Sequence, residues 1–135
     1  MAEARARLAA AGFSAEDVEK TLRRGEEEGL LDDAAFVRLW VVDRLTYRPR
    51  ARRAVERELI GKGVAPALLA ETVRNLYPAE EEARLALEAA RERLERLKAL
   101  PKEAQQRRVF SFLVRRGFSP HLARGVLRTL EKEGR

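Results

Sequence analysis

Apolar residues recur along this chain at helical spacing, and one set of them returns three times in the same frame. LAAAGFSAEDVEKTL near the start, LIGKGVAPALLAETV in the middle and LVRRGFSPHLARGVL near the end align without gaps. Leu8, Leu59 and Leu113 stand four residues before Gly12, Gly63 and Gly117. Phe13, Val64 and Phe118 follow the glycines, and Ser14, Ala65 and Ser119 come next. Val18, Leu69 and Ala123 lie six residues after each glycine, and Leu22, Val73 and Leu127 lie ten after. The pattern predicts helix, tight turn, helix. Glycine accepts the left-handed conformation that ends the first helix without a Cβ penalty. Ser14 and Ser119 are placed as N-caps, with Asp17 closing a capping box on Ser14. Pro66 and Pro120 suit a first helical turn, where a missing N–H costs nothing. The apolar residue after each glycine staples the corner.

A third helix follows the first two copies. LDDAAFVRLWVVDRLTY opens on Asp32 or Asp33 as cap and carries Phe36, Trp40 and Tyr47 near one face. Residues 79–99 place Ala83, Leu87, Ala90, Leu94 and Leu97 on one stripe, with Glu92/Arg96 and Glu88/Arg91 at pairing distance elsewhere. The third copy stops after its second helix. No run of β-branched residues alternates with polar ones, so strands are not expected. The expectation is an all-α chain of tandem three-helix, helix-turn-helix-like repeats. They span 1–47 with a short first helix, 48–99, and 100–135 without a last helix. Units this small bury little apolar surface alone, so they are expected to stack into an elongated, curved array.

Charge adds a partner class. The 135 residues hold 28 Lys and Arg against 22 Asp and Glu, a net +6, with a sequence pI near 10.3. That excess suits an acidic partner such as nucleic acid. Two stretches concentrate it. Arg44, Arg48, Arg50, Arg52, Arg53, Arg57 and Lys62 crowd the centre, with Tyr47 among them as a ring on which a base could stack. Lys98, Lys102, Arg107, Arg108, Arg115, Arg116 and Arg124 form a looser second group, from which Arg107, Arg108, Arg115 and Arg116 are taken as contact candidates. Arginine's planar fork fits phosphates and carboxylates alike. Glu26, Glu27 and Glu28 make an acidic knot in the first quarter.

Enzyme chemistry finds little support. Cysteine is absent and His121 is the single histidine, so the usual metal sets cannot be assembled. Asp32 and Asp33 precede an apolar run and read as helix-start residues rather than a catalytic pair. No serine has a base beside it, and GKGVAP at Gly61 lacks phosphate-loop spacing. Trp40 reads as core, a turn after Phe36 and Val37. Neither an enzyme nor a cofactor is expected. No apolar run reaches membrane length and the N-terminus lacks a secretory block, so a cytoplasmic monomer without membrane contact is expected.

Three stretches carry a family likeness. EEEGLLDDAAFVRLWVVDRL, Glu26 to Leu45, RAVERELIGKGV, Arg53 to Val64, and RRGFS, Arg115 to Ser119, resemble the RecX family of bacterial regulators of the recombinase RecA. Glu58, Leu59, Lys62 and Gly63 match its second block directly, while Ala51, Ala54 and Val37 depart from its usual Gly, Arg and small residue. The resemblance implies a non-enzymatic modulator of DNA repair, homologous recombination and the SOS response. It implies binding in the helical groove of a RecA filament, across neighbouring subunits, with restraint of ATP hydrolysis and strand exchange. Weak contact with single- or double-stranded DNA is compatible with it. A nonspecific helix-turn-helix DNA-binding protein is the alternative reading. Against that alternative, the second helices, such as AEDVEKTL and PALLAETV, carry few side chains suited to base edges.

Overall fold

The repeated glycine ends a helix in both copies that the structure describes. That structure, a computed structural model, describes residues 14–134. Leu8, Gly12, Phe13 and the expected short first helix lie outside them. Gly63 and Gly117 take φ of 87° and 96°, the left-handed conformation their positions demand. Val64 and Phe118, one residue later, are buried and close each corner.

Among the described residues the chain forms seven α-helices and no strand. They are α1 (Ala15–Glu27), α2 (Ala34–Thr46), α3 (Arg52–Gly61), α4 (Pro66–Leu76), α5 (Ala79–Arg96), α6 (Lys102–Arg115) and α7 (Pro120–Glu133), with a 3-10 turn at Leu30–Asp32. The caps are those the sequence specifies. Ser14 accepts from the Asp17 N–H at 3.1 Å and Asp17 accepts from the Ser14 N–H at 3.3 Å, completing the capping box. Asp33, not Asp32, caps α2, accepting from the Ala35 N–H at 2.8 Å. Ser119 caps α7 through the Leu122 N–H at 3.1 Å. Pro66 and Pro120 occupy first turns. Such caps contribute about 1 kcal/mol each.

The helices gather into two compact units. Among the described residues the first holds 14–49 and 55–78, and the second holds 50–54 and 79–134. In the first, α2 is the hub. Phe36, Val37, Trp40, Val41 and Leu45 are buried against Val18 and Leu22 of α1, Val55 and Leu59 of α3, and Leu69 and Val73 of α4. Gly25 of α1 is needed bare, because a Cβ there would overlap the Phe36 ring. Trp40 is core, as its spacing predicts, with its ring 5.9 Å from that of Phe36.

In the second unit α5, α6 and α7 pack on one another. Leu85, Ala86 and Ala90 meet Val109 and Leu113 of α6 and Ala123 and Val126 of α7. Of the expected stripe on α5, Ala90 and Leu97 are buried, Leu87 and Leu94 half-buried and Ala83 exposed, while Leu85 and Ala86 are buried as well. Glu82 bears on this first part of the helix. Its carboxylate accepts from the Arg52 N–H at 2.8 Å, which turns inward the face one helical turn later, at Leu85 and Ala86. The segment 50–54 belongs here for a second reason. The Ala51 N–H donates to the Arg116 carbonyl at 3.0 Å, and Ala51 and Ala54 lie against Gly117, where only hydrogen leaves room.

Candidate functional site

Arg44, Arg48 and Lys62 of the first unit are fixed on carboxylates. Asp43, on α2 and fully buried, accepts from Arg44 and from Arg48, the latter at 2.6 Å. Arg44 turns its Nε to Glu58 of α3 at 2.9 Å. Arg48 also reaches Glu19 of α1 at 2.9 Å. Burial works against the charge of Arg48, yet the hydrogen bond and charge of Asp43, with Glu19, hold its guanidinium above the ordinary arginine value. Lys62 pairs with Glu26 at 3.0 Å. Arg44 and Lys62 also lie over the Trp40 ring, at 4.7 and 5.2 Å from its centre. Three contact candidates, Arg44, Arg48 and Lys62, thus brace α1, α2 and α3, and Tyr47 is half-buried beside them as the last residue of the α2 cap. Of the central group only Arg57 offers an exposed side chain from this unit.

The second unit arranges its cations differently. Arg93 of α5 and Arg116 at the end of α6 both lie over the Phe112 ring, with guanidinium carbons 5.0 and 5.1 Å from its centre. Arg93 Nε is buried and has no hydrogen-bond partner. Partial burial, then the charges of Arg50 and Arg93, push the Arg116 guanidinium below the ordinary arginine value. Arg50 and Arg93 thus both lie near enough to Arg116 for their charges to act on it. Arg52 is half-buried with its Nε inside, while Arg53, Arg107, Arg108 and Arg115 are exposed.

Net charge divides along the same line. Among the described residues the second unit carries 16 Lys and Arg against 9 Asp and Glu, a balance of +7, and the first carries 9 against 12, a balance of −3. The sequence candidates thus fall into two classes. Arg44, Arg48 and Lys62 are held on carboxylates, and Arg116 shares the Phe112 ring with Arg93. Sequence reasoning missed Arg93 and Phe112. Their signal was an arginine on the buried stripe of α5, between Ala90 and Leu97, and an aromatic where the preceding copy has Glu58. No group of His, Asp and Glu among the described residues suits a metal ion. No described helix is long and apolar enough to cross a membrane.

Comparison with known proteins bears on both units. Residues 32–73 match the second three-helix domain of RecX, and residues 80–127 match the third. The chain is 41% identical over 120 residues to the regulatory protein RecX of Thermobifida fusca, covering 88% of this chain and 64% of that one. It is 39% identical to the RecX of Streptomyces coelicolor, over 88% of this chain and 63% of that one. Identity to the RecX of Prosthecochloris aestuarii is 32%, over 93% of this chain and 80% of that one. The chain thus spans a little under two thirds of the first two relatives. A crystal structure of a regulatory protein RecX superposes with a TM-score of 0.59 at 21% identity, over 90% of this chain and 60% of that one, a likeness of fold.

Proposed function

This chain belongs to the RecX family of regulatory proteins, and from that premise we propose that it binds the RecA recombinase filament in its helical groove and restrains ATP hydrolysis and strand exchange. One observation carries the reading: two successive three-helix domains match RecX domains in order, and the similar proteins are named regulatory proteins. The chain acts by occupying a surface, not by bond chemistry, as a cytoplasmic monomer.

A repeated surface supports the same reading. α3 exposes Arg53, Arg57 and Ile60, spaced along one face, and α6 exposes Arg107, Ser111 and Val114 at the equivalent repeat positions. Ile60 and Val114 are among the few large apolar side chains in the described residues that are exposed, at 59% and 38%. A partner built of identical subunits presents one epitope many times. Two like faces, each with an arginine at one end and an exposed apolar residue at the other, suit such a partner.

ATP hydrolysis by RecA on single-stranded DNA tests the proposal. Added at well below one chain per RecA, the protein should already slow hydrolysis. Slowing that appears only when bare DNA is saturated by the chain would sink it.

A further inference from the structure

We propose that a second copy of this chain docks on the first, seating Leu30 of its first unit in an apolar cleft of the other copy's second unit. The proposal goes beyond RecA binding, and its test uses this chain alone.

The cleft has a volume of about 380 Å³. Leu94 of α5, Val109 of α6 and Leu127 and Leu130 of α7 line it, with Lys102 and Glu131 among its polar residues. Two departures from the repeat accompany it. α6 begins at Lys102, one turn earlier in the repeat frame than α3 at Arg52. Tyr77, fully buried after α4, stands where the second unit has Glu131. The lengthened wall is fixed in place. The Gln105 amide donates to the Leu97 and Leu100 carbonyls at 3.0 Å each, tying α6 to the turn that leaves α5. A preformed apolar cleft of this kind favours an apolar side chain over water.

Charge selects the occupant. Leu30, Ile60 and Val114 are the large apolar side chains exposed among the described residues, and the last two belong to the repeated surface. Leu30 opens the 3-10 turn and is 41% exposed. Gly29, at φ 75°, redirects the chain just before it, and the Asp33 N–H donates to the Leu30 carbonyl at 2.9 Å. The leucine is therefore presented from a fixed backbone. Glu27, Glu28, Asp32 and Asp33 are exposed on either side of it in sequence. No cation among the described residues pairs with Glu27, Glu28 or Asp32. The unit that holds the cleft is the opposite, with its balance of +7. Lys102 is 71% exposed and 3.9 Å from Glu131, the carboxylate of the lining. Arg128 and Lys132 are exposed next in sequence to Leu127 and Glu131. A leucine flanked by carboxylates thus suits an apolar cleft flanked by cations, and this chain carries both halves. They lie on different units, so the contact is heterologous: the leucine of one copy enters the cleft of the next. An interface this small is weak, so the dilute chain is a monomer, and copies crowded side by side on a polymer reach the concentrations that form it.

The test is sedimentation equilibrium of the full chain at low salt, from about 10 μM to about 1 mM, the range in which weak contacts form. The weight-average mass of the parent should rise above that of one chain. L30S keeps every charge, and K102E/R128E keeps the apolar lining. Each changes exposed residues only, should keep the circular dichroism of the parent, and should weaken association at least about tenfold. Mixed, the two variants should pair one to one and no further, because L30S retains its cleft and K102E/R128E retains its leucine. In that mixture the methyl NMR signals of Leu94, Val109, Leu127 and Leu130 should shift in labelled L30S and stay in place in labelled K102E/R128E. A parent that remains a single chain at the highest concentration would overturn the proposal, as would L30S associating as the parent does. So would an associating parent whose two variants fail to pair when mixed, or methyl shifts confined to other residues.

Discussion

The two glycine corners begin from the same sequence pattern and end with opposite electrostatics. In the first unit Lys62 lies next to the corner, and Glu58, one turn earlier, takes Arg44. In the second unit the equivalent of Lys62 is Arg116, and the equivalent of Glu58 is Phe112. One replacement, carboxylate by phenyl ring, removes a local countercharge and supplies a stacking platform. The described residues as a whole carry −3 in one unit and +7 in the other. The scaffold is reused while its charge is distributed differently, on paired cations in the first unit and on an excess of cations in the second.

The comparison breaks most visibly at Asp43. D43A removes a fully buried carboxylate that two arginines share. Leaving partly buried cations without it should cost about 3 kcal/mol, read as a lower urea midpoint.

The corners themselves come next. G117A meets both an unfavourable φ and the Ala54 Cβ at 2.8 Å, and should lose about 2 kcal/mol. G63A meets the same φ problem with nothing within 4 Å, and should lose only about 1 kcal/mol. Equal losses, measured by denaturant unfolding, would mean that backbone strain alone decides both corners.

R48Q sharpens the contrast from the other side. Removing a cation that Asp43 and Glu19 both hold should lower the unfolding midpoint. The smallest effect belongs to the exposed Arg91–Glu133 pair, joined at 3.1 Å. The Arg91 hydrogen bond and charge hold Glu133 below the usual carboxylate value. A group with a depressed folded pKa stabilises above its unfolded pKa and loses that stabilisation as pH falls through the folded value. E133Q should therefore shift the melting temperature slightly at neutral pH and not at all in acid below that lowered pKa.

Much of the fold was legible because its signals are local. Gly63, Gly117, Ser14, Ser119, Pro66 and Pro120 each act on their own turn, so spacing alone locates them. The face of α5 was not legible, because Glu82 is drawn to an N–H some thirty residues away in sequence. The site was legible as charge and not as geometry. Arg44, Arg48, Arg50 and Arg116 look alike in sequence. Whether each meets Asp43, Glu19 or another arginine depends on how helices pack. Arg93 was hidden by its neighbours Glu92 and Glu95, which suggest an ordinary solvated face.

The most direct check on the regulatory reading is inhibition of RecA ATP hydrolysis on single-stranded DNA by the parent and by R53E/R107E, the two exposed arginines at equivalent repeat positions. The expected result is that the double variant, folded as the parent is, needs at least about tenfold more protein for half-inhibition, corresponding to about 1.4 kcal/mol of lost binding. Identical inhibition curves for the two proteins would contradict it.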